Sequence, residues 1–154
     1  MFDLADFLRL KPKHPPAPPP AARPVVKLLL ITGDEDLYTS VRDAAGHCGI
    51  EVHRASTVDR ALSVLEGFQP GLVIYDWLPE AGDWEAAVDL LAAQPEHPCI
   101  LLASGIGDKY LWEELVRHGG FDIMPRSATA DQLVGCLRFA SFSLRLTRPL
   151  KDHR

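Results

Sequence analysis

The sequence is poor in the residues that build metal clusters and disulfide frameworks. Its 154 residues include only three cysteines and six histidines. These residues are scattered, with no C-x-x-C pair, no H-E-x-x-H motif and no zinc-finger spacing. The cysteines are Cys48, Cys99 and Cys136, and an odd number so far apart predicts buried thiols and no disulfide framework. Structural roles are therefore expected for the cysteines and histidines alike.

The sequence also lacks long apolar runs and an excess of basic charge. No run approaches the roughly 20 apolar residues that a membrane-spanning helix needs. Acidic residues stand near the N-terminus, where a secretory signal would be basic. The formal net charge is −5, whereas sequence-independent binding of nucleic acid depends on clustered Lys and Arg. We therefore expect a cytoplasmic protein that binds neither membranes nor nucleic acid.

Proline, in contrast, is concentrated in one short segment. Seven of the thirteen prolines lie between residues 12 and 24, which predicts an extended polyproline II spacer over residues 11–24. The spacer sets apart a head, residues 1–10, whose apolar residues suit about two turns of amphipathic helix. The head either packs on its own domain or docks on a partner. Residues 25–146 are expected to form one domain, followed by a basic solvated tail over residues 147–154.

Residues 25–146 alternate short apolar runs with amphipathic segments. The predicted strands cover residues 25–31, 51–54, 71–75, 99–103 and 121–124. The predicted helices cover residues 35–48, 57–67, 84–93, 110–118 and 130–144. Asp34 is placed to cap the first helix, and Gly49 to end it. This alternation predicts an α/β fold: a doubly wound, five-stranded parallel sheet of the flavodoxin type between two layers of helices.

In such a fold, ligands bind at the carboxyl ends of the strands. The residues expected there are Asp34 after the first strand, Asp76 after the third, Ser104 after the fourth and Arg126 after the fifth. Together they offer carboxylates, a hydroxyl and a guanidinium, a set that suits a phosphoryl group.

At these positions the chain resembles the receiver domains of bacterial response regulators. The resemblance covers residues 25–146 and rests on three segments: LVIYD ending at Asp76, SGIGD beginning at Ser104, and FDIMPR ending at Arg126. It implies that Asp76 accepts a phosphoryl group and that Ser104 and Arg126 contact it. The donor would be a sensor histidine kinase or a phosphotransfer protein.

The resemblance also implies how the signal leaves the domain. It predicts a CheY-like receiver in two-component phosphorelay signalling, with no enzymatic activity beyond autophosphorylation from small phosphodonors. Because only about eight residues follow residue 146, we expect this receiver to be stand-alone. Output would pass to a downstream protein partner through the face formed by the fourth helix, the fifth strand and the fifth helix. The resemblance also allows a homodimer. The apolar content of the last helix fits either such an interface or ordinary burial.

Three differences from the receiver pattern favour an alternative. The acidic pair that helps to bind Mg²⁺ falls on Thr32-Gly33 or on Gly33-Asp34, the usual lysine is Arg126, and Pro79 comes one residue early. Asp34 and Asp76 could still form a weakened Mg²⁺ site, or Asp34 could serve only as a helix cap. The alternative is a pseudo-receiver that acts as a phosphorylation-independent scaffold for protein interactions.

A third interpretation is a flavin- or cobalamin-binding protein of the same fold class. It rests on Thr32-Gly33, which follows the first strand where such proteins bind phosphate. Three acids, Asp34 to Asp36, come directly afterwards and would repel a bound phosphate. No D-x-H-x-x-G motif of cobalamin-binding proteins is present either, which makes this interpretation the weakest.

Overall fold

The structure is a computed structural model, and the residues that it describes are 25–147. The predicted head and spacer, and the tail from residue 148, lie outside the described residues. The strands are β1 Val26–Ile31, β2 Ile50–Ala55, β3 Leu72–Asp76, β4 Cys99–Ser104 and β5 Asp122–Pro125. The helices are α1 Glu35–His47, α2 Val58–Phe68, α3 Trp84–Ala92, α4 Lys109–Arg117 and α5 Ala130–Thr147. One 3₁₀ turn, Pro79–Ala81, lies between β3 and α3. All five predicted strands and all five predicted helices are confirmed.

The strands form one parallel sheet in the order β2-β1-β3-β4-β5. The order reverses direction between β1 and β3: the chain leaves β1 towards β2 and leaves β3 towards β4, in the opposite direction. Open α/β sheets bind ligands beside such a reversal, at the carboxyl ends of the strands. The predicted doubly wound fold is therefore confirmed.

Alternate residues of each strand enter two separate cores. On one face, Leu28 and Leu30 of β1 pack with α1 and α5, and on the other, Leu29 and Ile31 pack with α2, α3 and α4. A strand covered on both faces needs apolar side chains at every position. This is why β1, β3 and β4 are nearly continuous apolar runs in the sequence.

Side-chain caps fix where the helices begin. Each of the first four helices starts after a residue whose side-chain oxygen accepts a backbone N–H of the first turn; these residues are Asp34, Thr57, Asp83 and Asp108. At α5, Thr129 and Gln132 cap each other's backbone N–H groups, which is the reciprocal capping box. No helix within residues 25–147 is long and apolar enough to cross a membrane.

The cysteines differ from the prediction. Cys48, Cys99 and Cys136 are free thiols, as expected, but each is only partly buried, at the edge of the α1–α5 core. They lie at element ends or on a partly covered helix face, positions that the sequence pattern does not distinguish from the core. Burial nevertheless raises the pKa of the Cys99 thiol to about 12, and the nearby charge of Asp122 adds to the effect. Cys99 is therefore a protonated, unreactive thiol at neutral pH.

The turn from α4 into β5 offers a test of the packing. A Cβ atom at Gly120 would overlap the side chain of Leu115, which is fully buried. We expect Gly120→Ala to lower the free energy of unfolding by about 1–3 kcal/mol, as overpacking does elsewhere. Gly135→Ala on α5 is the control, because its Cβ would meet nothing within 4 Å and alanine favours the helix. Equal urea midpoints for Gly120→Ala and the wild type would contradict the prediction.

Candidate functional site

The carboxyl ends of β1, β3, β4 and β5 bring the predicted site residues to one edge of the sheet. Asp76 is the last residue of β3 and pairs in register with Ala103, and the next residue of β4 is Ser104. The Asp76 side chain is only 2% exposed. Burying a carboxylate is unfavourable unless it is paired and hydrogen-bonded, so the partners of Asp76 determine whether it can be charged in this position.

Arg126 is the main partner of Asp76. Its Nε donates to Oδ1 of Asp76 at 2.6 Å, and its Nη2 donates to Oδ2 at 2.9 Å. This is the bidentate arrangement in which a planar guanidinium binds a carboxylate most strongly. The Arg126 backbone N–H donates to the Ser104 carbonyl at 3.0 Å, which fixes the residue just beyond β5. Hydrogen bonding to Asp76, and secondly the charges of Asp76 and Asp34, raise the pKa of Arg126.

Thr32 is the second partner, and its role was not foreseen from the sequence. Its Oγ1 donates to Oδ2 of Asp76 at 2.7 Å and accepts the Asp34 backbone N–H at 2.9 Å. The Thr32 residue is 2% exposed. The only signal in the sequence is a hydroxyl residue at the end of a buried strand next to β3. From the sequence, Thr32 stands where receivers have an acid and where flavin- or cobalamin-binding proteins of this fold class bind phosphate, and neither position predicts a donor to Asp76.

Asp34 both caps α1 and joins this ion pair. Its Oδ1 accepts the backbone N–H groups of Asp36 at 2.9 Å and of Leu37 at 3.4 Å. Its Oδ2 accepts from Nη2 of Arg126 at 3.0 Å. The backbone donors, followed by Arg126, lower the pKa of Asp34. The predicted capping role is confirmed.

The Mg²⁺ site at Asp34 and Asp76 stays a prediction, and the bonding of these residues does not fit it. All four carboxylate oxygens already accept hydrogen bonds, and a single nitrogen of Arg126 lies between the two groups. Mg²⁺ needs oxygen ligands at about 2.0–2.1 Å in octahedral geometry. Within residues 25–147, no three His, Cys, Asp or Glu side chains are grouped to hold a metal.

Ser104 lies at the edge of this cluster. It is 2% exposed, and its Oγ accepts the backbone N–H of Ile106 at 3.0 Å. Among the described hydrogen bonds, none joins the Ser104 hydroxyl to Asp76. Its role in contacting a phosphoryl group therefore stays a prediction.

The loop after β3 is held by its own contacts. The Trp77 backbone N–H donates to the Ala103 carbonyl at 2.9 Å, and the indole Nε1 donates to the Gly82 carbonyl at 3.0 Å. Gly82 has φ +90°, a conformation that favours glycine. The Trp77 ring also meets Trp84 edge to face at 6.4 Å. Trp77 is thus an intrinsic fluorophore directly beside Asp76.

The α4–β5–α5 face, formed by these three elements, carries exposed apolar side chains. Tyr110, Trp112 and Val116 of α4 and Phe139 of α5 are exposed. A groove of about 430 Å³ runs along β5 and α5 and includes Phe139 in its lining. Most of the apolar residues that had suggested an interface on α5 pack on the core, namely Leu133, Val134, Leu137 and Leu144. Phe139 and Phe142 are the exceptions.

No protein-family profile matches the chain, and no characterised protein matches it in sequence. Solved structures do match. NtrX from Brucella abortus superposes with a TM-score of 0.73 and 25% identity over 85% of this chain, which spans 30% of NtrX.

Shorter proteins match over nearly their whole length. A response regulator from Thermotoga maritima gives a TM-score of 0.70 at 17% identity, covering 76% of this chain and 98% of its own. The chemotaxis response regulator CheY4 of Vibrio cholerae gives 0.68 at 16% identity, covering 76% and 99%. The described part of the chain therefore shares its fold with CheY-like receivers.

Proposed function

We propose that this chain, whose fold is that of a response-regulator receiver, is a two-component signalling module in which Asp76 accepts a phosphoryl group. The observation that carries the proposal is the buried Asp76 carboxylate at the end of β3, held in a bidentate ion pair by Arg126. This ion pair supports the proposal because a carboxylate, the group that would act as nucleophile, lies beside a guanidinium, the group that would bind phosphate, at the edge of the sheet where such folds bind ligands.

Phosphoryl transfer to Asp76 would require little covalent chemistry from the rest of the protein. Phosphoryl transfer depends mainly on positioning and on neutralising the charge that develops on the phosphoryl oxygens. An Asp76 oxygen would bond to phosphorus as the bond to the donor's oxygen or nitrogen breaks. Arg126 would then give up one hydrogen bond to the carboxylate and donate to a phosphoryl oxygen instead. Its planar guanidinium matches the geometry of phosphate as well as that of carboxylate. The Ser104 hydroxyl, one residue beyond the partner of Asp76 in the sheet, would donate to another oxygen.

The partners follow from the same assignment. The donor would be a sensor histidine kinase or a phosphotransfer protein, with small phosphodonors as substitutes in vitro. The downstream protein would bind the α4–β5–α5 face, whose exposed Trp112 and Phe139 are of the residue types enriched at interfaces. Arg126 directly follows β5, so a change in its contacts acts on the edge of this face.

The test is phosphorylation by acetyl phosphate, followed by intact mass and by tryptophan fluorescence, to which Trp77 contributes. We expect a mass gain of one phosphoryl group that is abolished by Asp76→Asn and kept by Asp43→Asn. Asp43 is the matched control because it is an exposed aspartate on α1, outside the site. Unchanged mass in the wild type, at donor concentrations that modify another receiver, would refute phosphorylation of Asp76.

The second candidate is the pseudo-receiver, a scaffold that binds its partner without phosphorylation. It is favoured by one observation: both oxygens of Asp76 are already engaged by Thr32 and Arg126. In that case the unmodified protein would bind its partner, and Asp76→Asn would leave the binding unchanged. A pull-down with both proteins, followed by measured affinities, separates the two candidates.

A further inference from the structure

We propose that the guanidinium of Arg126 occupies the place of a divalent cation at this site, so that the unmodified protein has no working Mg²⁺ site. Receivers are expected to hold Mg²⁺ between the acceptor aspartate and acids after β1. In this chain the corresponding carboxylates are Asp76 and Asp34, and Arg126 bridges them.

The contacts of Arg126 are those expected of a cation that bridges two anions. Its Nη2 lies 2.9 Å from Oδ2 of Asp76 and 3.0 Å from Oδ2 of Asp34, while its Nε holds the other oxygen of Asp76 at 2.6 Å. An ion placed between the two carboxylates would have to displace this nitrogen. It would also have to compete with the Thr32 hydroxyl for Oδ2 of Asp76.

The length and planar shape of the arginine side chain explain how Arg126 can bridge Asp76 and Asp34. Arg126 starts beyond β5, at the far edge of the sheet from α1, yet its planar fork reaches both Asp76 and Asp34. A lysine offers one point charge and cannot make the bidentate contact while bridging to a second carboxylate. The presence of arginine in place of the usual lysine and the loss of one acid after β1 are therefore connected. With fewer acids the site binds a divalent cation from solution less well, and the guanidinium supplies the positive charge instead.

Loss of the charge on Arg126 should have the converse effect on cation binding. If Arg126 loses its charge, Asp34 and Asp76 are left facing one another with no cation between them. Two like charges so close favour the binding of a positive ion. Mg²⁺ can be held by one or two carboxylates with water completing the shell, so this pair is sufficient for weak binding. Removing the arginine should thus create a cation site that the wild type lacks.

This inference deepens the proposed function and rests on it, because both take Asp76 as the regulated residue. Its test uses no phosphodonor, so a failure to phosphorylate Asp76 would leave the result unaffected. The experiment measures the thermal unfolding midpoint of the full chain in increasing MgCl₂, against NaCl at matched ionic strength to remove screening effects. Tryptophan fluorescence at fixed temperature, to which Trp77 beside Asp76 contributes, gives a second readout.

We expect the wild type to have the same midpoint in MgCl₂ and in matched NaCl. Arg126→Gln should gain a Mg²⁺-dependent rise of about 5 °C once the ion exceeds its dissociation constant tenfold. The rise should vanish when Asp34→Asn is added. Arg117→Gln is the matched control, since Arg117 makes an exposed ion pair with Glu114 away from the site. Arg126→Lys, which keeps the charge, should show a smaller rise.

Two results would overturn the inference. A rise of the wild-type midpoint in MgCl₂ over that in matched NaCl would mean that the arginine does not displace the ion. No rise in either Arg126 variant would mean that Asp34 and Asp76 do not form a cation site. The wild-type arm needs no substitution, so the inference can be refuted even if Arg126→Gln folds poorly.

Discussion

Replacing Arg126 by methionine is expected to lower the free energy of unfolding by about 3 kcal/mol, the lower end of the range for breaking a buried ion pair. The reason is that the Asp76 carboxylate would stay buried without its counter-charge. Its side chain is 2% exposed and would lose both hydrogen bonds from the guanidinium. Arg126 itself is 25% exposed, so some water can reach the vacated space and moderate the loss. For a domain of this size the midpoint of thermal unfolding should fall by roughly 10 °C.

The control for this prediction removes the second charge. Adding Asp76→Asn to Arg126→Met leaves no ion buried, so most of the lost stability should return. Urea unfolding of the wild type, the single variant and the double variant gives the comparison. A loss below about 1 kcal/mol for Arg126→Met would mean that water solvates Asp76 without the arginine, as it does for exposed pairs.

Replacing Thr32 by valine should lower the free energy of unfolding by about 1–3 kcal/mol, the range for leaving buried polar groups without a partner. Valine keeps the shape of threonine but removes the hydroxyl. Asp76 would lose the donor at 2.7 Å, and the Asp34 backbone N–H would lose its acceptor at 2.9 Å. If Asp76 is the phosphoacceptor, the rate of its phosphorylation should change as well, since the carboxylate is no longer held from the β1 side.

Thr32→Ser is the matched control, because it keeps the hydroxyl and removes only a methyl group. It should lose no more than about 1 kcal/mol. Chemical denaturation measures both variants under the same conditions. If Thr32→Ser were as unstable as Thr32→Val, the methyl group and its packing would be responsible, and the hydrogen-bond argument would be wrong.

The fold was predictable because the signals for it are local. The apolar run at residues 72–75, the helix cap Asp34 and the helix-ending glycine Gly49 each identify an element from a few neighbouring residues. The alternation of these elements then restricts the topology to a doubly wound parallel sheet. The partial burial of the cysteines was missed because burial at the edge of a core depends on distant elements.

The candidate site was predictable only as a set of positions. Sequence placed Asp76, Ser104 and Arg126 at one edge of the sheet, and the structure places them there. It could not say that Arg126 would bond Asp76 and Asp34 together. The direction of a long side chain depends on which partners the folded sheet brings within reach, here residues 50 and 92 positions away along the chain. The donor role of Thr32 was missed for the same reason, since its partner is 44 positions away.

The two outer strands of the sheet, β2 and β5, are poor templates for pairing with another chain. β5 has four residues and ends in Pro125, which has no N–H to donate. β2 presents the exposed charged and polar residues Glu51 and His53 along its length. Short edges that carry charge or proline are how natural sheets avoid edge-to-edge aggregation. We therefore expect the domain not to polymerise by strand addition, and any partner to bind side-chain surfaces such as the α4–β5–α5 face.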